Sequence, residues 1–160
     1  MKGDARVIEY LNETLRNELT ATNQYWLHYR ILDNMGLKRL AAHERAESIE
    51  EMKHADQLAE RILMLDGLPN FQAIGQLRIG ENVEEILKAD LALEMEALDQ
   101  LKAAIQHSEK VQDYVSRNLF EQILESEEDH VDELETQLDM IKQMGLQNYI
   151  QLQSKPADEE

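Results

Sequence analysis

The chain has 160 residues, 33 of them acidic and 16 basic, for a formal net charge of −17. That length holds one domain with a real core and is short for two; the acid excess argues against nucleic acid, whose phosphates are met by Lys and Arg, and suits cations. Six glycines, two prolines and 5% aromatics argue against a sandwich or barrel, and the lack of cysteine excludes disulfides and thiolate metal sites. The opening stretch, MKGDARVIEYLNETL, has no apolar signal core, and no run of ~18 apolar residues occurs. A cytoplasmic, reducing location with no membrane partner is therefore expected.

Asp4 is placed to cap a first helix running to Met35, with Gly36 at the position just past its end. A second helix follows from Leu37 to about Leu65 and is closed by Gly67 and Pro69. Residues 66–81 show no sustained period and read as a long connection. Asn82 with Glu85 resembles a capping box and opens a third helix to about His107. Asp113 caps a fourth, ending at Gly145, and Leu146 to Leu152 form a short fifth. Residues 1–152 are expected to be a single domain, and 153–160 an acidic, disordered tail.

At 1.5 Å per residue each long helix spans ~40 Å. The first and third joints are short, so those neighbours are antiparallel hairpins. The middle connection reaches ~50 Å when extended, enough to run the length of the bundle. The expected fold is all-α: a four-helix bundle with one long crossover between the second and third helices, the ferritin-like arrangement.

Writing out the inward stripes shows where the chemistry lies. The first helix presents Ile8, Leu11, Leu15, Glu18, Thr22 and Tyr25, and the third Val83, Leu87, Leu91, Glu94, Leu98 and Leu101. The second carries Glu44, Glu47, Glu51 and His54 between Leu40 and Leu58. The fourth carries Glu127 and His130 between Ile123 and Leu134. Each stripe is interrupted near its middle by glutamate, and a buried carboxylate needs a partner. Glu51 with His54 and Glu127 with His130 are Glu-x-x-His pairs, on one helix face one turn apart. Adding 76 to 18, 51 and 54 gives 94, 127 and 130, so the chain reads as two related hairpins.

Four carboxylates balance two divalent cations, and an oxygen-rich set with two imidazoles and no sulfur favours iron or manganese over structural zinc. Without metal, the four acids are expected to repel one another, so that some titrate above ~4.3. Glu44 and Glu47 read as a solvated bundle end or an outer-shell pair, and His28, His43 and His107 as surface or helix-end residues. Tyr25 is either a core aromatic or an electron donor near the metals. Met52 is turned ~100° from the metal face. With Arg45 and Ile49 it shares a second face, and spacing alone makes it a packing or interface methionine. Two rivals stay open on the residues alone: a non-storage di-metal (Fe or Mn) oxidase or peroxidase on the same bundle, and a helical module with merely exposed glutamates.

The segments MKGDARVIEYLNETLRNELTATNQYWLHYR, ESIEEMKHAD, LRIGENVEEILKADLALE and ILESEEDHVDELETQLDMIKQMGLQNY resemble bacterioferritin up to about Leu152. The resemblance implies a 24-subunit homo-oligomeric shell built from two-fold dimers. Such a shell oxidises Fe(II) with O2 or H2O2 at a di-iron ferroxidase centre of two iron ions per subunit and stores ferric mineral. It implies Glu18, Glu51, His54, Glu94, Glu127 and His130 as catalytic ligands. It also implies a ferredoxin-like electron donor for iron release, and a haem b shared by two subunits with Met52 as axial ligand. Arg45 and Trp26 stand where relatives more often have Tyr and Phe. Ala46 and Glu50 replace the His and Asp of an inner-surface iron site, and Glu133 replaces a tryptophan. Asn34, Asp66, Asp132 and Asp139 resemble the family's polar pore lining.

Overall fold

The structure, a computed structural model, describes residues 1–156. Five helices and no strand are found among them: α1 (Ala5–Asn34), α2 (Lys38–Met64), α3 (Val83–Lys110), α4 (Tyr114–Met144) and α5 (Leu146–Gln153). The caps follow from the side chains. Asp4 accepts from the Val7 amide, Asn82 from Glu85 and Asp113 from Ser116. Glu85 returns its carboxylate to the Glu81 amide at 2.9 Å, one residue earlier than a standard capping box. α3 runs past the expected His107 to Lys110, because Asp113 N–H closes it on Ser108 O at 2.9 Å.

Three helices end in the same way. At the end of α1, Gly36 takes φ 86 while the Leu37 amide donates to Leu32 O and the Gly36 amide to Asp33 O. Buried Leu37 and Leu32 accompany this pattern. At the ends of α2 and α3 the left-handed residues are Asp66 (φ 61) and Gln112 (φ 63), not glycine. Gly67, expected to close α2, is needed for space: a Cβ there would meet Ile62 and Ile8 side chains at 2.9 Å.

The crossover explains the topology. α2 brings the chain back beside the start of α1, and residues 66–81 then run along α1 in its own direction. α1 offers a polar side chain to the crossover at a four-residue period. The Asn70 amide donates to Asn12 Oδ1 (2.8 Å), Gly75 to Thr20 Oγ1 (2.8 Å), Arg78 to Gln24 Oε1 (2.9 Å) and Gly80 to His28 Nε2 (3.0 Å). One helix edge thus satisfies an extended segment that has no strand partner. α3 therefore starts beside the end of α1 and runs antiparallel to it, with Gln24 facing Asp90 and Thr14 facing Gln100.

The apolar core is split in two. Leu11, Leu15, Leu58, Ile62, Phe120 and Ile123 belong to one cluster. Leu32, Leu40, Ile86, Leu87, Leu134 and Tyr149 belong to the other. The glutamates of the stripes lie in the layer between. α5 packs its Tyr149–Gln153 edge onto the second cluster. Gln153, expected in the tail, is accordingly buried one turn after Tyr149 on the same face. Ser154 to Pro156 are exposed, and the rest of the expected disordered tail, residues 157–160, lies outside the described residues. No helix among the described residues is long and apolar enough to cross a membrane.

Candidate metal centre

Each long helix delivers its glutamate to the middle layer because the apolar residues of its stripe fix its rotation. Glu18, Glu51, Glu94 and Glu127 are buried at 3% exposure or less, and His130 at 6%. His54 is slightly more open, with a side chain 12% exposed. The six residues meet as two groups of four. Glu18, Glu51, His54 and Glu127 bring ligand atoms within 4.8 Å of one another, and so do Glu51, Glu94, Glu127 and His130. Glu51 and Glu127 belong to both groups.

The 76-residue offset reappears as geometry. His54 Nδ1 lies 3.6 Å from Glu18, 3.7 Å from Glu51 and 3.5 Å from Glu127. In the other half His130 Nδ1 lies 3.7 Å from Glu94, 3.5 Å from Glu127 and 2.9 Å from Glu51. The two halves differ outside this set. His130 Nε2 also approaches Glu47 closely and Glu50 at 3.5 Å, while the Tyr25 hydroxyl donates to Glu94 Oε1 at 2.8 Å.

Both oxygens of Glu51, Glu94 Oε2, Glu127 Oε1, His54 Nδ1 and both nitrogens of His130 are buried without a hydrogen-bond partner. Orphaned buried polar atoms are costly, and this many converging on one layer fit a pair of cations. Among oxygen and nitrogen donors with no sulfur, iron and manganese suit the set.

The protons divide between the acids and the imidazoles. Burial and the Glu127 charge do raise the Glu51 carboxyl. Burial also acts to raise Glu127, but the neighbouring His130 and His54 hold it below the usual range. Burial opposes charge on the imidazoles too, yet the surrounding carboxylates push His54 up to about 9 and His130 higher still. Glu51 thus titrates high, as expected of some of the acids, Glu127 does not, and the two imidazolium groups supply neutralising charge that the expectation from sequence does not include.

Glu44 is 1% exposed, which removes the solvated end and leaves the outer-shell place of its two readings, while His28, expected at the surface or a helix end, is corrected: it is fully buried. His28 Nδ1 lies 2.8 Å from Asp90 Oδ1, and Gln24 donates to the same oxygen at 2.9 Å. His28, Glu44 and Asp90 form a third compact group. Asp90 and Gln24 were not singled out from sequence. The available signal was Gln24 and His28 at i, i+4 on α1, and Asp90 one turn before Glu94. It went unread because the element covering them is the aperiodic crossover. His43 is partly exposed, with Nε2 3.6 Å from Glu47, and His107 sits near a helix end against Asp4 at 2.9 Å. Met52 (42%) and Trp26 (41%) are exposed, with the Arg45 guanidinium 5.5 Å from the Trp26 ring. Asn34, Asp66, Asp132 and Asp139 are all exposed.

Comparison with known proteins agrees with this architecture. Residues 8–144 match the ferritin-like domain family. The chain is 52% identical to the bacterioferritin of Brucella melitensis biotype 1 over 159 residues, covering 99% of each chain. It is 50% identical to that of Mycolicibacterium paratuberculosis over 149 residues, covering 93% of this chain and 94% of the relative. It is 49% identical to that of Rhodobacter capsulatus over 158 residues, covering 99% and 98%. With the bundle, the crossover and the paired Glu–His layer all in place, the chain belongs to the bacterioferritins of the ferritin-like family.

Proposed function

We propose that this chain is the subunit of an iron-storing shell that oxidises Fe(II) at a di-iron ferroxidase centre held by Glu18, Glu51, His54, Glu94, Glu127 and His130. The observation that carries the reading is the overlap of the two four-residue groups in Glu51 and Glu127. Two shared carboxylates and one Glu–His pair on each side are what a pair of cations needs. Iron bound there supplies one electron per ion to O2 or H2O2.

The chain's own part follows from the geometry. His54 and His130 give up protons as cations enter, so the ligand set is neutralised by metal instead of by hydrogen. The carboxylate charges offset two divalent ions in a layer sealed by apolar clusters on both sides. The Tyr25 hydroxyl holds one Glu94 oxygen, leaving Glu94 Oε2 free of any hydrogen bond. Glu47 and Glu50 lie against Nε2 of His130, carboxylates that have no counterpart at His54.

The haem reading rests on Met52. An outward-facing thioether fits a haem ligand on a surface that a second subunit covers, and haem there would add a one-electron carrier. The 24-subunit shell, assembled from two-fold dimers, and a ferredoxin-like donor for release belong to the same proposal. The exposed residues Asn34, Asp66, Asp132 and Asp139 would line the entry for Fe(II).

The test is native size combined with iron loading. A hollow particle that takes up Fe(II) under air and retains an electron-dense ferric core supports storage. A monomer or dimer that oxidises Fe(II) without retaining it would favour the non-storage oxidase or peroxidase.

A further inference from the structure

The group formed by His28, Glu44 and Asp90 lies outside the six residues of the metal centre, and each member is essentially fully buried. Its hydrogen bonds fix its protonation. The Gly80 amide donates to His28 Nε2 at 3.0 Å, so that nitrogen carries a lone pair. His28 Nδ1 must then carry the proton, and it donates to Asp90 Oδ1 at 2.8 Å. His28 is therefore the neutral Nδ1–H tautomer, because a cationic ring would turn an Nε2–H against the Gly80 N–H.

A neutral histidine leaves two buried carboxyls with no cation of their own. Asp90 Oδ1 takes donors from His28 and Gln24, while Asp90 Oδ2 and Glu44 Oε2 have none. The groups facing this pair make matters worse for two negative charges. Tyr25 on α1, Glu47 on α2, Glu133 on α4 and Tyr149 on α5 are neutral or acidic. His43 lies at the partly exposed edge, and His130 is the one buried imidazolium nearby, already surrounded by other carboxylates. Burial first, and Asp90 second, hold the Glu44 carboxyl well above the usual range.

A third metal ion is the competing reading of three such side chains. Both His28 nitrogens are in use, and two unpartnered oxygens fall short of the six or so that hard cations take. A proton needs only those two oxygens.

We propose that Glu44 and Asp90 share a single proton, held against neutral His28, and that this proton leaves when the neighbouring six-residue centre fills with divalent cations. The second half rests on the di-metal reading above. The bond that breaks is Glu44 O–H. The pair becomes two carboxylates, and the loss is favoured because two divalent cations replace two imidazolium charges at the centre, leaving it more positive than before. Glu44 lines a small cavity with Tyr25, Glu47, His130 and partly exposed His43, and this is the proton's way out to water. The pair thus works as a proton store that follows the charge of the metal centre.

Three readouts on the assembled, metal-free protein test this. Infrared spectroscopy at neutral pH should show a protonated-carboxyl band that is missing in Glu44→Gln. Nitrogen NMR should show His28 as the neutral Nδ1–H tautomer. Titration with Zn2+, which cannot be oxidised, should release one proton more per subunit from wild type than from Glu44→Gln, at equal zinc stoichiometry, and should erase the wild-type band. A band that survives Glu44→Gln, or a cationic His28, overturns the shared proton. Equal proton counts, or a wild-type band that persists with zinc bound, overturn the coupling. Lower zinc stoichiometry in Glu44→Gln would show that the pair holds a metal ion instead. If zinc binds neither protein, the di-metal reading and the coupling fail together, while band and tautomer still decide the shared proton. The tautomer and the band's response to zinc are read in wild type, so they stand even if the variant does not assemble.

Discussion

His130 Nδ1 on α4 lies 2.9 Å from Glu51 Oε1 on α2, so each Glu-x-x-His motif is completed by the other hairpin's glutamate. The mirror contact, His54 Nδ1 to Glu127 Oε1, is 3.5 Å. Neither hairpin has a whole site, which makes the shared glutamates unequal to the outer ones. Removing Glu51 damages both groups of four, whereas removing Glu18 damages one. Calorimetry with Co2+ should find one tight ion per subunit in Glu18→Ala and none in Glu51→Ala. Fast Fe(II) oxidation, followed by stopped-flow absorbance, should fall at least about 100-fold in both variants, the upper range for lost metal-site support. Fast oxidation like that of wild type in Glu51→Ala would refute the paired centre.

The proton inventory predicts opposite pH trends for metal binding and for metal-free stability. His54 is raised from its ordinary value to about 9, so the folded protein holds that proton more tightly than the unfolded chain. Its stabilising effect is complete below about pH 6.5 and is lost as pH rises through about 9. Metal must displace the same proton, so affinity for Co2+ should climb across that window while the melting temperature of the metal-free protein drifts down. Parallel calorimetric and thermal-melt series from pH 6 to 9 would check both, and His54→Gln should make both curves shallower, with His130, raised higher still, keeping the remaining slope.

The crossover is held by α1 at a point where only glycine fits. A Cβ on Gly80 would come within 2.3 Å of the Ile86 amide nitrogen, and backbone cannot move aside as a side chain can. Gly80→Ala should cost about 1–3 kcal/mol from overpacking, and more if the His28 hydrogen bond is lost with it. Chemical denaturation of the metal-free protein measures this, and a change below about 0.5 kcal/mol would mean the segment is loosely held. Thr20→Val, which removes the acceptor for Gly75 farther along the same edge, should cost less, about 1 kcal/mol.

The contrast between stripes and crossover also explains what was legible in the sequence. Helix ends and inward faces follow from a 3.6-residue period and a few capping residues, so Glu18, Glu51, Glu94 and Glu127 stood out as interruptions in apolar rows. The exact offset of 76 added the pairing. His28 and Asp90 interrupt no row. Their burial depends on a segment without a period, whose position is set by single hydrogen bonds from Asn70, Gly75, Arg78 and Gly80. Glu44 was visible on its stripe, but its environment includes Asp90 of α3, a residue the stripes did not mark. Residues whose surroundings come from one repeating element can be placed from sequence, and those walled in by an irregular one cannot.

Tyr25 gives a related test inside the centre. Its hydroxyl is buried and donates to Glu94 Oε1 at 2.8 Å. Burial, with Asp90 and Glu44 close by, pushes its ionisation far above the usual range, so it stays a neutral donor. Tyr25→Phe should destabilise the metal-free protein by about 1–3 kcal/mol by orphaning that oxygen. With two cations bound, the oxygen gains another partner and the penalty should shrink. Thermal melts with and without Zn2+ separate the two cases, and an equal penalty in both would show that the hydroxyl is structural only.

Met52 lies one residue after Glu51 and points the other way, out of the bundle. Because it is 42% exposed, Met52→Leu should change the stability of the single subunit by no more than about 0.5 kcal/mol. The same reasoning keeps it away from Fe(II) oxidation, since its exposed side chain lies outside the buried layer that holds the six residues. If two copies of this face hold a haem, reconstituted wild type will show a low-spin spectrum with two thioether ligands. Met52→Leu will lose that spectrum while keeping particle size and the rate of Fe(II) uptake. Reductive release of stored iron is where the variant should fall behind, because an electron carrier in the wall matters only for electrons crossing it. A wild-type protein that assembles and stores iron yet shows no Met52-dependent haem spectrum would leave this methionine as a contact between subunits.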